Sequence, residues 1–263
     1  MITEKQIISF CKNLLEVERF SDYCKNGIQI SGNTDSVQKI ALGVTASKNF
    51  LEKAAAWGAD LCICHHGIMF GKTQEINDIL RGRIEICIKN NMGVAGFHLP
   101  LDAHPEVGNN AIICKKLEIG HDNNPHRALE KVNVGFTGNL KNPENFRSFQ
   151  DFLENIETVM GQKANFSGNF HEQKTGEKVS RVCVISGGSS KFSGEVFDSG
   201  ADTFIFGELS ESSFHELKER NLNFIAAGHY ATETFGVQAL GEKILEEFGN
   251  SIETKFISED CTV

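Results

Sequence analysis

The feature that most constrains this chain is that its second half repeats the first. Gly58-Ala59-Asp60 followed by LCICHH is matched by Gly200-Ala201-Asp202 followed by TFIFGE. Extended backwards without a gap, the match pairs Ile40 with Val182, Phe50 with Phe192 and Trp57 with Ser199. After one gap, VAGFHLPLD lines up with IAAGHYATE, so His98 and Asp102 fall on His229 and Glu233. Limited strand-turn-helix grammar explains recurring apolar residues and glycines. It does not explain a His-to-carboxylate spacing kept in both copies, and an internal duplication is the better reading.

Within each copy, apolar runs of strand length alternate with helical patterns. KIALGV, NFLEKAAAWG, DLCICHH, a helix near 76–90 and GVAGFH are answered by RVCVIS, KFSGEVFDSG, DTFIFGE, a helix near 212–220 and NFIAAGH. Continuous apolar strands between helices predict a mostly parallel sheet covered on both faces. The expected fold is therefore α/β, with two similar α/β domains over 1–128 and 129–263. In such sheets chemistry collects where strands end at their carboxyl side.

Three segments put metal-binding side chains at such ends. In HHGIMF, neighbouring His65 and His66 would point to opposite faces if the strand continued, and Gly67 lets the backbone turn. In HLPLD, Pro100 removes a donor and takes the chain out of the sheet as a turn, flanked by His98 and Asp102. In GHYATE, a helix running on through FGVQALGEKILEEFG sets His229 and Glu233 at i and i+4 on one face. Imidazole with carboxylate suits Zn, Fe, Mn or Co. Six donors exceed one open tetrahedral ion and suit two divalent ions per chain.

Other residues carry weaker signals. His98 is either a ligand or a donor orienting Asp102. Glu208 and His215, in GELSESSFH, are either an acid-base or substrate-binding pair, or solvated residues of a capped helix, which is the plainer reading. SGGSS at 186–190 has amides able to hold a phosphate but lacks a phosphate-loop pattern, so a tight turn is favoured.

Composition excludes several classes. A net charge of −9 without a basic cluster disfavours nucleic acid as partner. No apolar run is long enough to span a membrane, and the N-terminus reads as an amphipathic helix rather than a signal peptide. Of the eight cysteines, none forms a CxxC pair, and Cys62, Cys64, Cys114 and Cys183 sit in apolar runs. Reduced buried thiols in the cytoplasm are expected.

HHGIMF, FHLPLDAHPEVGNN, FGELSESSFH and AAGHYATE together resemble the dinuclear-metal family known as GTP cyclohydrolase I type 2 homologs. The resemblance covers nearly the whole chain. It implies two similar α/β domains, a dinuclear site between them and homo-hexamers. It places the metal ligands on His65, His66, Asp102, His229 and Glu233. One departure is Gly67, where many members have proline. The implied function is a metal-dependent hydrolase acting on a nucleotide or purine-like heterocycle, with proton transfer by His98, His215 or Glu208. The alternative is a metal-binding, metal-delivering or regulatory scaffold without turnover.

Overall fold

The structure, a computed structural model, describes residues 1–32, 36–71, 75–120 and 134–263. The expected domain division at 128/129 lies outside the described residues. The chain forms two compact units, Met1–Leu101 with Gly236–Asp260, and Asp102–Phe235 with Cys261–Val263.

The first unit contains β1 (Gly27–Ile30), β2 (Lys39–Thr45), β3 (Leu61–His66), β4 (Gly93–Gly96) and β11 (Glu253–Phe256), ordered β1-β4-β3-β2-β11. β1 runs antiparallel to β4, and the other neighbours are parallel. Its helices include α1 (Glu4–Leu14), α2 (Lys48–Trp57), α3 (Asp78–Lys89) and α11 (Thr234–Phe248). α1 opens on a capping box, with the Thr3 side chain accepting from the Gln6 amide and Gln6 reaching back. β2 and β3 are apolar along nearly their whole length because helices cover the sheet, and Phe50, Leu51, Cys62, Cys64 and Val94 are buried in one core.

The second unit holds β5 (Ile119–Gly120), β6 (Phe136–Leu140), β7 (Phe166–Gly168), β8 (Arg181–Ile185), β9 (Thr203–Phe206) and β10 (Asn223–Ala226). Their order is β5-β6-β8-β9-β10-β7, with β8, β9 and β10 parallel and the outer strands antiparallel. Its helices are α5 (Asn109–Lys116), α6 (Phe149–Met160), α7 (Phe170–Thr175), α8 (Ser193–Asp198), α9 (Glu211–Arg220) and α10 (His229–Thr232). The short helix α4 (Leu99–Ala103) carries the chain from the first unit into the second. Two apolar clusters flank this sheet, one built on Phe136, Phe152 and Ile156 and the other on Phe204, Phe206 and Phe224.

The two sheets share an order: β1-β4-β3-β2 is answered by β7-β10-β9-β8. Details repeat as well. Asp60 Oδ2 accepts from the Gln38 and Lys39 amides, and Asp202 Oδ2 accepts from those of Ser180 and Arg181. Gly58 and Gly200 both take left-handed angles, φ 78° and φ 75°. These agree with the sequence match through β3 and β9. Beyond them the hydrogen bonds pair Gly93 with Asp60 and Asn223 with Asp202, so Gly93 corresponds to Asn223. Counted from there, His98 falls on Gly228 rather than His229. The extra residue of the second unit is Gly228, whose φ of 101° favours glycine. Next to the sheets, Pro100 sits in the first turn of α4, so HLPLD leaves β4 as a helical turn.

Candidate metal centre

In the first unit β3 ends in His65 and His66, and β4 is followed by His98. The rings lie close: centroids are 4.7 Å apart for His65 and His66, 5.0 Å for His65 and His98, and 5.5 Å for His66 and His98. One ligand atom from each lies within 4.8 Å of the others. Each ring is fixed through Nδ1. His65 Nδ1 donates to the Phe97 carbonyl at 3.0 Å, His66 Nδ1 is 3.2 Å from Thr45 Oγ1, and His98 Nδ1 donates to Asp22 Oδ1 at 2.9 Å. Held this way through Nδ1, each ring can offer Nε2 to a metal.

Burial works against a charged Asp22. Hydrogen bonds from His98, Asn26 and the Cys24 amide outweigh it, with the His98 charge, and hold the carboxyl at about 2. Tyr23 and Phe70 set their ring edges against His98, at 4.9 and 5.0 Å. Gly67 does not serve as a turn residue with positive φ. It serves close approach, because a Cβ there would collide with the buried Gln29 amide. Gln29 in turn accepts from the Met69 amide at 2.7 Å and donates to the Lys25 carbonyl at 2.8 Å.

In the second unit Asp102, His229 and Glu233 are placed by α4 and α10 and by the loop after β8. Asp102 is 5% exposed, and its Oδ1 accepts from Asn109 Nδ2 at 2.8 Å and Ser186 Oγ at 3.0 Å. His229 Nδ1 donates to Glu208 Oε2 at 3.0 Å, and its Nε2 lies 3.3 Å from Glu233 Oε1. The hydrogen bond with Glu233 lifts the His229 pKa to about 9 against the opposing effect of burial, and the Glu233 and Glu208 charges add to the rise. His229 and Glu233 are not on one continuous helix. α10 ends at Thr232, Glu233 caps it at φ −111°, and α11 starts afresh at Thr234.

SGGSS closes around this set as a turn. Gly187, at φ 64°, donates to Thr232 Oγ1, and its carbonyl accepts from the Gly207 and Glu208 amides. A Cβ on Gly187 would collide with Glu233 Oε1 and stand 3.2 Å from His229 Nε2. Gly187→Ala should therefore lower metal content as well as stability, by about 1 kcal/mol or more from the left-handed angle alone. Elemental analysis and thermal melts of the variant check this. Sequence reasoning misses Ser186 and Asn109 as supports of Asp102, although both lie inside motifs legible in the sequence. Asp22 and Thr45 carry no sequence signal at all.

Glu208 contacts His229 rather than His215. His215 lies on α9, its side chain 61% exposed and ion-paired with Glu211 at 3.0 Å. Among the described residues no group of possible metal donors includes His215. The seven cysteines from Cys11 to Cys183 are buried, and burial pushes the thiols of Cys11, Cys24, Cys62, Cys64, Cys87, Cys114 and Cys183 up, away from the thiolate a metal requires. No helix among the described residues is long and apolar enough to cross a membrane.

Comparison with known proteins places the chain among relatives over its whole length. Residues 2–262 match Duf34/NIF3, NGG1p interacting factor 3. The chain belongs to the Duf34/NIF3 family. Among its relatives, the GTP cyclohydrolase 1 type 2 homolog of Haemophilus influenzae is 35% identical over 246 residues, covering 92% of this chain and 93% of that protein. The protein of the same name from Archaeoglobus fulgidus is 33% identical over 253 residues, 96% of each chain. Of solved structures, the protein ybgI, described as of unknown function, superposes with a TM-score of 0.88 at 34% identity over 100% of both chains. TTHA1606 from Thermus thermophilus gives 0.81 at 28% identity, also over 100% of both. The family expected from HHGIMF, HLPLD and GHYATE is thus the family found.

Proposed function

We propose that this Duf34/NIF3 protein is a dinuclear metal-dependent hydrolase acting on a purine nucleotide or a related heterocycle. The ligands proposed for two divalent ions are drawn from His65, His66, His98, Asp102, His229 and Glu233. The observation that carries this reading is that His65, His66, His98 and His229 are all hydrogen-bonded through Nδ1, to a carbonyl, a hydroxyl or a carboxylate. Core histidines that merely satisfy themselves have no reason to present Nε2 uniformly. The donors fit a metal on a second count: the missing side chain of Gly187 keeps space beside Glu233 Oε1 and His229 Nε2. Nitrogen and oxygen donors without thiolate suit Zn, Fe, Mn or Co.

Bound divalent ions supply Lewis acidity and bring a water's pKa down to about 7. The chain's contribution is placement and proton movement. Asn109 and Ser186 hold the Asp102 carboxylate by one oxygen. Glu208, its side chain 53% exposed and bonded to His229, is the group in this set able to exchange a proton with solvent or substrate. The purine substrate class follows the name carried by the Haemophilus and Archaeoglobus relatives. The shared strand order and the paired Asp60 and Asp202 supports favour descent of the two units from one duplicated ancestor. Assembly as a homo-hexamer follows the family resemblance.

The test is metal reconstitution followed by an activity screen. Protein loaded with Zn, Mn, Fe(II) or Co(II) should carry close to two ions per chain by elemental analysis and hydrolyse GTP or a related purine compound. One ion or none after reconstitution would overturn the dinuclear site. Turnover by the metal-free protein would overturn the mechanism. Two ions with no turnover on any nucleotide or pterin precursor would leave the scaffold reading in place of the hydrolase.

A further inference from the structure

Asp22 is a buried carboxylate that no sequence motif accounts for. It lies in the loop between α1 and β1, and its side chain is 1% exposed. Removing an ionised carboxylate from water costs several kcal/mol unless hydrogen bonds and charge replace the solvent. Here Oδ1 accepts from the Cys24 amide at 3.0 Å and His98 Nδ1 at 2.9 Å. Oδ2 accepts from the Leu99 amide at 2.9 Å and Asn26 Nδ2 at 3.0 Å. Three of these partners are neutral amides, and the fourth is the Nδ1–H of the His98 imidazole. The loop is already tied to the end of β4 by a different residue, since Asn26 Oδ1 accepts from the His98 amide at 2.8 Å. A carboxylate is not needed for that tether.

We propose that Asp22 is a positioning residue that commits His98 to metal ligation. Accepting from Nδ1–H holds the ring with its lone pair on Nε2, the nitrogen that can join His65 and His66. A negative partner also makes that nitrogen a better electron donor than a carbonyl or hydroxyl would. With Nδ1–H given to Asp22 and Nε2 to the metal, neither nitrogen is left to exchange a proton with substrate, so His98 leaves the set of acid-base candidates. The second unit holds its strand-end histidine the same way, with Glu208 on His229 Nδ1. Asp22 precedes the strands of its sheet and Glu208 follows β9, so the two carboxylates reach equivalent roles from different places in the chain. This inference rests on the metal-site reading above.

Co(II) titration of the full-length protein separates this role from that of a loop tether. The wild type and the variants Asp22→Asn, Asp22→Glu and Asn26→Ala are compared by visible absorption, chelator competition and melting of the metal-free protein. Asp22→Asn should weaken Co(II) binding by about 10- to 100-fold and shift the absorption bands. Asn26→Ala should lower the melting temperature while leaving the bands in place, and Asp22→Glu should recover part of the lost affinity. Wild-type affinity and bands in Asp22→Asn would overturn the proposal. So would parallel losses in Asp22→Asn and Asn26→Ala with unmoved bands, because a loop tether would then suffice. If Asp22→Asn does not fold, His98→Gln decides: weakened Co(II) binding with shifted bands supports the role, and wild-type bands and affinity overturn it, because His98 would then not be a ligand. A wild type that takes up no Co(II) defeats the metal reading itself, and this inference with it.

Discussion

Glu233→Ala should strip the protein of metal and of any metal-dependent activity together. Glu233 is 3% exposed, and its Oε1 faces His229 Nε2 at 3.3 Å. Removing it takes away a donor oxygen and the negative charge that offsets a divalent ion. The loss of affinity should exceed the roughly 10- to 100-fold typical of a group that only orients a ligand. Glu208→Ala supplies that comparison, because Glu208 touches His229 through Nδ1, on the other side of the ring. Chelator competition on the two variants should therefore rank Glu233→Ala well below Glu208→Ala. Equal losses would mean that Glu233 is a partner of His229 and not itself a ligand.

Metal affinity should also climb steeply with pH. A ligating imidazole must be neutral, yet in the metal-free protein Glu233 and Glu208 hold His229 protonated up to about 9. Metal has to displace that proton. The apparent affinity should rise about tenfold per pH unit as pH increases toward 9, so about 100-fold between pH 7 and 9, then level off. Stability of the metal-free fold runs the other way. Its folded-state pKa is raised above the unfolded value near 6.5, so its stabilisation is fully present below 6.5 and disappears as pH passes 9. That contribution is about 2–3 kcal/mol, since the side chain is 30% exposed. Isothermal titration and thermal melts across pH 6 to 10 read the two trends. A flat affinity profile would show that His229 does not compete with protons for metal.

Much of this protein was legible in its sequence because the relevant physics is local. Apolar runs of strand length between amphipathic helices announce parallel sheets covered on both faces, and β2, β3, β8 and β9 follow them. The Gly-Ala-Asp recurrence carries a complete local device, a left-handed glycine and a carboxylate capping the neighbouring strand, so its two copies fold alike. The candidate donors were legible for a related reason: they cluster at or just past strand ends, where side chains are released from the alternating pleat. Whether His98 and His229 are equivalent was not legible. A one-residue shift in strand register leaves the letters aligned, and only the hydrogen bonds reveal that Gly228 is the additional residue.

What only the tertiary structure decided are the relations between segments far apart in the chain. Asp22 meets His98 across 76 residues, and Gln29 fills the space that Gly67 leaves open. β11 returns to pair with β2, placing Glu253 beside Lys39 and the C-terminal helix in the first unit. No periodicity encodes such pairings. Hydrophobic patterns specify which face of an element is buried and turn residues specify where it ends, but which distant side chain arrives there depends on the path of the whole backbone. The sequence therefore named the candidate donors, and the folded chain chose the carbonyl, hydroxyl and carboxylates that aim them.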